Sequence, residues 1–209
     1  MLGVGGLTIG RQVVLEALEV VQVGGVVAER RLSASDSVVP APPSLRAAVK
    51  PWMVLHTKSR QEKAVARFLF AVGLQFYLPL IDRVTILRGR KRTSRVPLFP
   101  SYVFLSGDLN DGYAAISTKR VCRIIDVNDQ ERLVDELEQV RAALDCGAEL
   151  YRAPFAVVGT RCRVTKGSFE GIEGKVSRKL GSNRLALQIE TLGLGAILEI
   201  DADLLEPLG

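Results

Sequence analysis

Residues that carry chemistry are scarce in this chain. Its 209 residues include one histidine, three cysteines, one tryptophan and two methionines. Cys122, Cys146 and Cys162 are odd in number and widely spaced, and no two stand at a CxxC or zinc-knuckle spacing. A disulfide framework or metal site is therefore not expected, and a reducing cytoplasm fits best. Each cysteine reads as a small buried hydrophobe. His56 as a catalytic base would need a nucleophile and an orienting acid, and the sequence marks neither, so an enzyme is not expected. Long apolar runs are missing too. No span near twenty uncharged residues exists, which argues against a membrane helix. Arg11, Glu16 and Glu19 interrupt the first apolar stretch, so it does not read as a secretory signal.

What remains is the composition of a folded soluble protein, with 47% apolar and 24% charged residues. A net charge of +5 permits nucleic-acid contact without requiring it. The placement of that charge is more telling. Arg83, Arg88, Arg90, Lys91, Arg92 and Arg95 lie within residues 83–95 with no acid among them, which exceeds the excess of the whole chain.

Along the chain, residues 11–23 have the spacing of a short helix burying Val14, Leu15, Leu18 and Val21. Residues 33–44, SASDSVVPAPPS, read as a mobile linker. Residues 1–50 are thus expected to be a largely disordered appendage without a function legible in its residues. The first globular unit is expected over 51–150. WMVLHT is a strand that sends Trp52, Val54 and His56 to one face. Ser59 and Glu62 form the pattern of a capping box, and the helix it opens buries Ala64, Val65, Phe68, Leu69 and Val72 before Gly73 ends it. QFYLPL is a second strand. VTILRGRKRTSRVPLF is a hairpin with Gly89 near its tip, and SYVFLSG is a strand with Tyr102 and Phe104 on one face. VCRIIDV follows, and a last helix from Gln130 to about Cys146 carries Leu133, Leu137, Val140 and Leu144. The order β-α-β-β-β-(short α)-β-α describes an α+β sandwich, an antiparallel sheet with packed helices.

The second unit, 155–209, changes character. TRCRV, RLALQIE and AILEI alternate apolar and polar residues, with KGSFEG, GSN and LGLG as turns between strands. Several short half-buried strands in so few residues imply a small closed β-barrel, because an open sheet of that size would leave edges exposed. Gly167, Gly171 and Gly174 supply turns that a side chain would obstruct. Phe169 lies at a loop tip between Ser168 and Glu170; it either meets a partner or folds back as a plug. CGAELYRAP is the connector between the units.

These motifs resemble a known family. WMVLHTKSRQEKAVARFL, the RGRKR hairpin and LFPSYVFL look like the N-terminal domain of NusG and of its specialised paralogue RfaH. VGTRCRVTKGSFEGIEGKV resembles the KOW motif that opens the SH3-like C-terminal barrel of the same proteins. The resemblance covers Trp52 to Pro207 and implies a monomeric transcription elongation or antitermination factor. Such a factor would bind the clamp helices and gate loop of RNA polymerase and use no cofactor. It implies a clamp-binding surface at Val54, His56, Tyr102, Phe104 and Val127; alternation alone allows these to be core beneath a helix instead. Asp111, Gly112 and Tyr113 fall about where relatives touch the gate loop, although they depart from the HTT pattern of RfaH. Lys58, Arg60, Gln61, Lys63 and Arg67 match a surface that in RfaH reads the non-template DNA strand. Arg88, Arg90, Lys91 and Arg92 are expected near upstream DNA or polymerase. Phe169 and Ile172 match a surface that NusG uses for a small-subunit ribosomal protein or for Rho. LFPSYVFL and TKSRQEK lean towards the operon-specific, RfaH-like paralogues. A general NusG coupling polymerase to Rho or the ribosome is the alternative. An RNA-binding or ribosome-assembly protein would explain the barrel but not the first unit.

Overall fold

The computed structural model describes residues 20–23, 26–29, 44–153, 159–179 and 182–208. The chain divides into two compact units, Met1–Val38 and Val39–Gly209. In the first, β1 (Val20–Val23) pairs antiparallel with β2 (Val26–Glu29), Val20 opposite Glu29. The helix expected over 11–23 is corrected where it is described: residues 20–23 are a strand, as the run of β-branched valines favours. Residues 11–19 and 33–43 lie outside the described residues.

The second unit runs β3 (Trp52–Thr57), α1 (Glu62–Ala71), β4 (Gln75–Tyr77), β5 (Leu80–Leu87), β6 (Arg90–Pro97), β7 (Tyr102–Ser106), α2 (Leu109–Ser117), β8 (Val121–Ile125) and α3 (Gln130–Asp145). It continues with β9 (Tyr151–Ala153), β10 (Thr160–Val164), β11 (Glu173–Lys179), β12 (Ser182–Ile189), β13 (Leu194–Ile200) and β14 (Leu205–Pro207). Four strands rather than three separate α1 from α2, because QFYLPL stops at Tyr77 and Leu80 opens the hairpin. The architecture is α+β. A four-stranded antiparallel sheet has the order β4-β7-β3-β8, and β5-β6 stand apart as a two-stranded ribbon.

Both faces of the four-stranded sheet are covered, which is why β3 is buried almost throughout. Met53, Leu55, Val103 and Leu105 share an apolar cluster with Val65, Ala66 and Leu69 of α1 and Ala115 of α2. Trp52, Val54, Tyr77 and Phe104 share the other cluster with Leu133, Leu137, Val140 and Ala143 of α3. The caps differ from expectation at α1. Arg60 takes a left-handed φ of 61°, Gln61 becomes the N-cap without a side-chain bond, and buried Glu62 accepts instead from the Ser101 N–H at 2.6 Å. Val72, expected inside, stands past the last helical residue and is exposed. Gly73 does close the helix, at φ 74°.

The remaining strands form a six-stranded antiparallel sheet, β14-β10-β11-β12-β13-β9. The expected connector contributes its edge, since β9 pairs with β13. α3 lies between the two sheets. Gln130 bonds both the N–H and the carbonyl of Trp52, while Glu136 accepts from the Glu190 N–H and Gln139 from the Glu173 N–H, at 3.1 and 3.0 Å. Val164, Ile172, Leu185, Leu187 and Leu198 accordingly join the α3 cluster.

Cys122 and Cys146 are exposed, which corrects the expectation of three buried thiols. Cys122 is on the edge strand β8 and Cys146 caps α3; Cys162 is buried. Among the described residues no helix is long and apolar enough to cross a membrane.

Candidate interaction surfaces

The expected docking face is largely core. Val54 and Phe104 have no exposed surface, and Val127 is buried as well. Phe99 meets Phe104 edge-on with centroids 6.4 Å apart, and Tyr77 packs at the same distance. Burial pushes the Tyr77 hydroxyl up strongly, and the nearby Asp145 charge adds to it. The expectation of an uncovered surface at Val54, Phe104 and Val127 is therefore corrected: α3 supplies the apolar cover that alternation alone left open. Trp52 packs as expected and donates its indole N–H to the Leu45 carbonyl at 3.2 Å. Two register positions on, the next pair on the same face, His56 opposes Tyr102, and both are half-buried with ring centroids 5.3 Å apart. This pair is what the expected face leaves open.

Cations follow β3 in the chain and flank it on β8. Lys58, Arg60 and Arg67 are exposed, and Gln61 and Lys63 are half-buried. The turn between α2 and β8 and the start of β8 add three that the sequence reading passed over, Lys119, Arg120 and Arg123, all exposed. The Lys58 N–H donates to the Arg120 carbonyl at 2.8 Å, and His56 pairs with Arg123 across β3 and β8. The run TKRVCR, leading into a strand, was the available signal. Among the described residues none of these seven cations forms an ion pair.

Of the residues expected at a gate loop, only Tyr113 presents an open side chain. Asp111 completes a capping box with Asp108 at the start of α2, and the Lys50 ammonium bridges both carboxylates at 2.7 and 2.9 Å. The Asp111 and Asp108 hydrogen bonds raise the Lys50 ammonium above its ordinary value, while the Lys50 bond lowers Asp108. Gly112 is buried, and a Cβ there would stand 2.6 Å from Ile124 Cδ1. Asp111 and Gly112 are thus committed to building α2.

On the six-stranded sheet, Ile172 is buried, which corrects its assignment to a partner surface. Its carbonyl accepts from the Val164 N–H, so the turn folds its side chain inward. Phe169 is half-buried, its ring partly packed on the core. Gly167 and Gly171 take φ of 87° and 85°, as turn glycines do. Gly174 does not; it lies within β11, where a Cβ would meet the Ala186 carbonyl oxygen at 2.5 Å.

The hairpin is as drawn from sequence. Arg88 and Gly89 form its tip with φ of 50° and 75°, the pair of positive values that a two-residue type I′ turn requires.

No curated protein matches the chain. A family model described as NusG, transcription termination factor nusG, matches residues 50–142. That stretch holds the four-stranded sheet, the hairpin, α1, α2 and most of α3. Over those residues, less than half of the chain, the sequence is similar to NusG transcription factors.

Proposed function

We propose that this protein is an elongation and antitermination factor that binds RNA polymerase through residues 51–150 and suppresses pausing or termination. The carrying observation is that the NusG match falls on the stretch where half-exposed His56 and Tyr102 pair beside Arg123, with Lys58 and Arg120 at the same strand end and no ion pair to any of the three among the described residues. An aromatic pair with cations at one end suits a polymerase surface bordered by nucleic acid. Tyr102 is the anchor for the clamp helices, with Tyr113 on α2 as the second contact, towards the gate loop. Lys58, Arg60, Gln61, Lys63 and Arg67, extended by Lys119, Arg120 and Arg123, face the non-template strand. An unpaired strand is held by positive charge and ring stacking together. Residues 155–209 act as a KOW barrel that recruits a small-subunit ribosomal protein or Rho, with Phe169 as its contact.

Reconstituted elongation with the matching polymerase tests the reading. Added protein should shorten pauses and co-purify with polymerase subunits. Unchanged pausing, or co-purification with ribosomal subunits alone, would sink it. Addition of Rho separates an antiterminator, which opposes release, from a general coupling factor, which promotes it.

A further inference from the structure

The ribbon formed by β5 and β6 has two faces of different chemistry. Its base is anchored, with Leu80, Ile81, Val96 and Pro97 half-buried and Ile81 packed on the core. Beyond the base both arms are exposed: residues 82–87 on β5 and 90–94 on β6. Cross-strand partners in an antiparallel pair share a face. The register pairs Arg83 with Ser94, Thr85 with Arg92 and Leu87 with Arg90, which gathers three guanidinium groups on one side with no acid. The other side pairs Asp82 with Arg95, Val84 with Thr93 and Ile86 with Lys91. There a carboxylate offsets one cation, and Val84 and Ile86 are 60% and 68% exposed. Among the described residues none of the ribbon's cations forms an ion pair.

We infer that the face carrying Arg83, Arg90 and Arg92 binds the phosphates of duplex DNA, sequence-independently, while the Val84–Ile86 face turns away from them. Guanidinium groups match phosphate oxygens in geometry and stay charged at any physiological pH. The occupant is a duplex because residues 80–97 contain no aromatic side chain, so the ribbon offers no platform on which unpaired bases could stack. It is B-form DNA because a two-stranded ribbon fits a major groove about 12 Å wide, whereas the A-form major groove is deep and narrow. The exposed part of the longer arm, residues 82–87, reaches about 20 Å at roughly 3.3 Å per residue, long enough to enter that groove. The register also revises the charge reading of the sequence. Lys91, grouped there with Arg88, Arg90 and Arg92, belongs to the opposite face, and Arg83 takes its place.

The test is fluorescence anisotropy of the full chain with a scrambled duplex DNA, the matching single strand and a duplex RNA, each over a salt series. Each phosphate contact contributes about 0.9 to the slope of log affinity against log salt. Arg83→Gln, Arg90→Gln and Arg92→Gln together should therefore flatten the duplex-DNA slope by about 2.7. Lys91→Gln with Arg95→Gln should change it by less than about 1, one contact on the same scale. All five side chains are outside the core, and circular dichroism checks that both variants stay folded. Equal effects of the two sets, no effect of the triple variant, or an equal flattening of the single-strand or duplex-RNA slope by the triple variant would overturn the inference. So would failure of the unaltered chain to bind duplex DNA.

Discussion

Val54 and Phe104 oppose each other across β3 and β7, and neither keeps any surface in contact with solvent. Their neighbours on the same two strands, His56 and Tyr102, are still half-open. Two register positions thus separate core from surface on this face, and substitutions on either side should behave differently. Phe104→Ala removes a ring packed against Phe99 and Tyr77 and should cost about 3–5 kcal/mol. That is a large fraction of a stability of roughly 5–15 kcal/mol, so the melting temperature should fall steeply. Tyr102→Ala should leave the melting temperature near that of the parent while weakening capture of polymerase. Thermal unfolding and polymerase pull-down on both variants read the difference. A stable Phe104→Ala that alone loses polymerase would move docking back to the buried position.

Glu138 links α3 to the segment that precedes the first sheet strand. Its carboxylate accepts from the Leu45 N–H at 2.8 Å and the Ser44 hydroxyl at 3.3 Å, and pairs with Arg141 at 2.7 Å. Burial alone would raise this carboxyl; the Arg141 bond and the Leu45 and Arg46 amides outweigh it and hold the group below its ordinary 4.5. A depressed carboxylate contributes stability above the unfolded value that disappears as pH falls through the folded one. The contribution is therefore full above about 4.5 and lost in more acid solution. Glu138→Gln should be less stable than the parent near neutral pH, with the gap closing below pH 4.5. Trp52, the single tryptophan, donates to the Leu45 carbonyl, so its fluorescence reports release of this segment. A gap that persists unchanged into acid would exclude the carboxylate as its source.

Local pattern carried the reading of the strands well. Alternation placed Tyr102 beside Phe104, the basic run marked both arms of the ribbon, and the i, i+4, i+7 spacing of Leu133, Leu137 and Val140 gave α3 its buried stripe. Long-range choices were not legible. Whether Phe104 is core or surface depends on α3 lying across β3 and β7, and no pattern within SYVFL encodes that. Glu62 looked like a capping residue because its spacing from Ser59 is right; its real partner, the Ser101 N–H, is 39 positions away. Lys119, Arg120 and Arg123 join Lys58 only because β8 pairs with β3. The spacing of Gly167, Gly171 and Gly174 suggested three turns, yet only two of them have left-handed backbone.

That last distinction can be measured. Gly167 needs its residue type for backbone conformation: φ is 87°, and nothing lies within 4 Å of where a Cβ would stand. Asparagine visits the left-handed region more readily than other residues, so Gly167→Asn should be tolerated better than Gly167→Ala. Gly174 has the reverse constraint. Its backbone is ordinary, but a Cβ would meet the Ala186 carbonyl oxygen at 2.5 Å and Leu185 Cγ at 3.0 Å. β11 is bonded to β10 on one side and β12 on the other, so the backbone has little room to withdraw. Gly174→Ala should therefore destabilise the six-stranded sheet by about 1–3 kcal/mol, as overpacking does. Gly174→Asn should be at least as costly, because the crowding is steric and left-handed tolerance does not relieve it. Urea unfolding of the four variants separates the two causes. If asparagine rescues position 174 as well as it rescues 167, the close approach of β11 to β12 is not what requires glycine there.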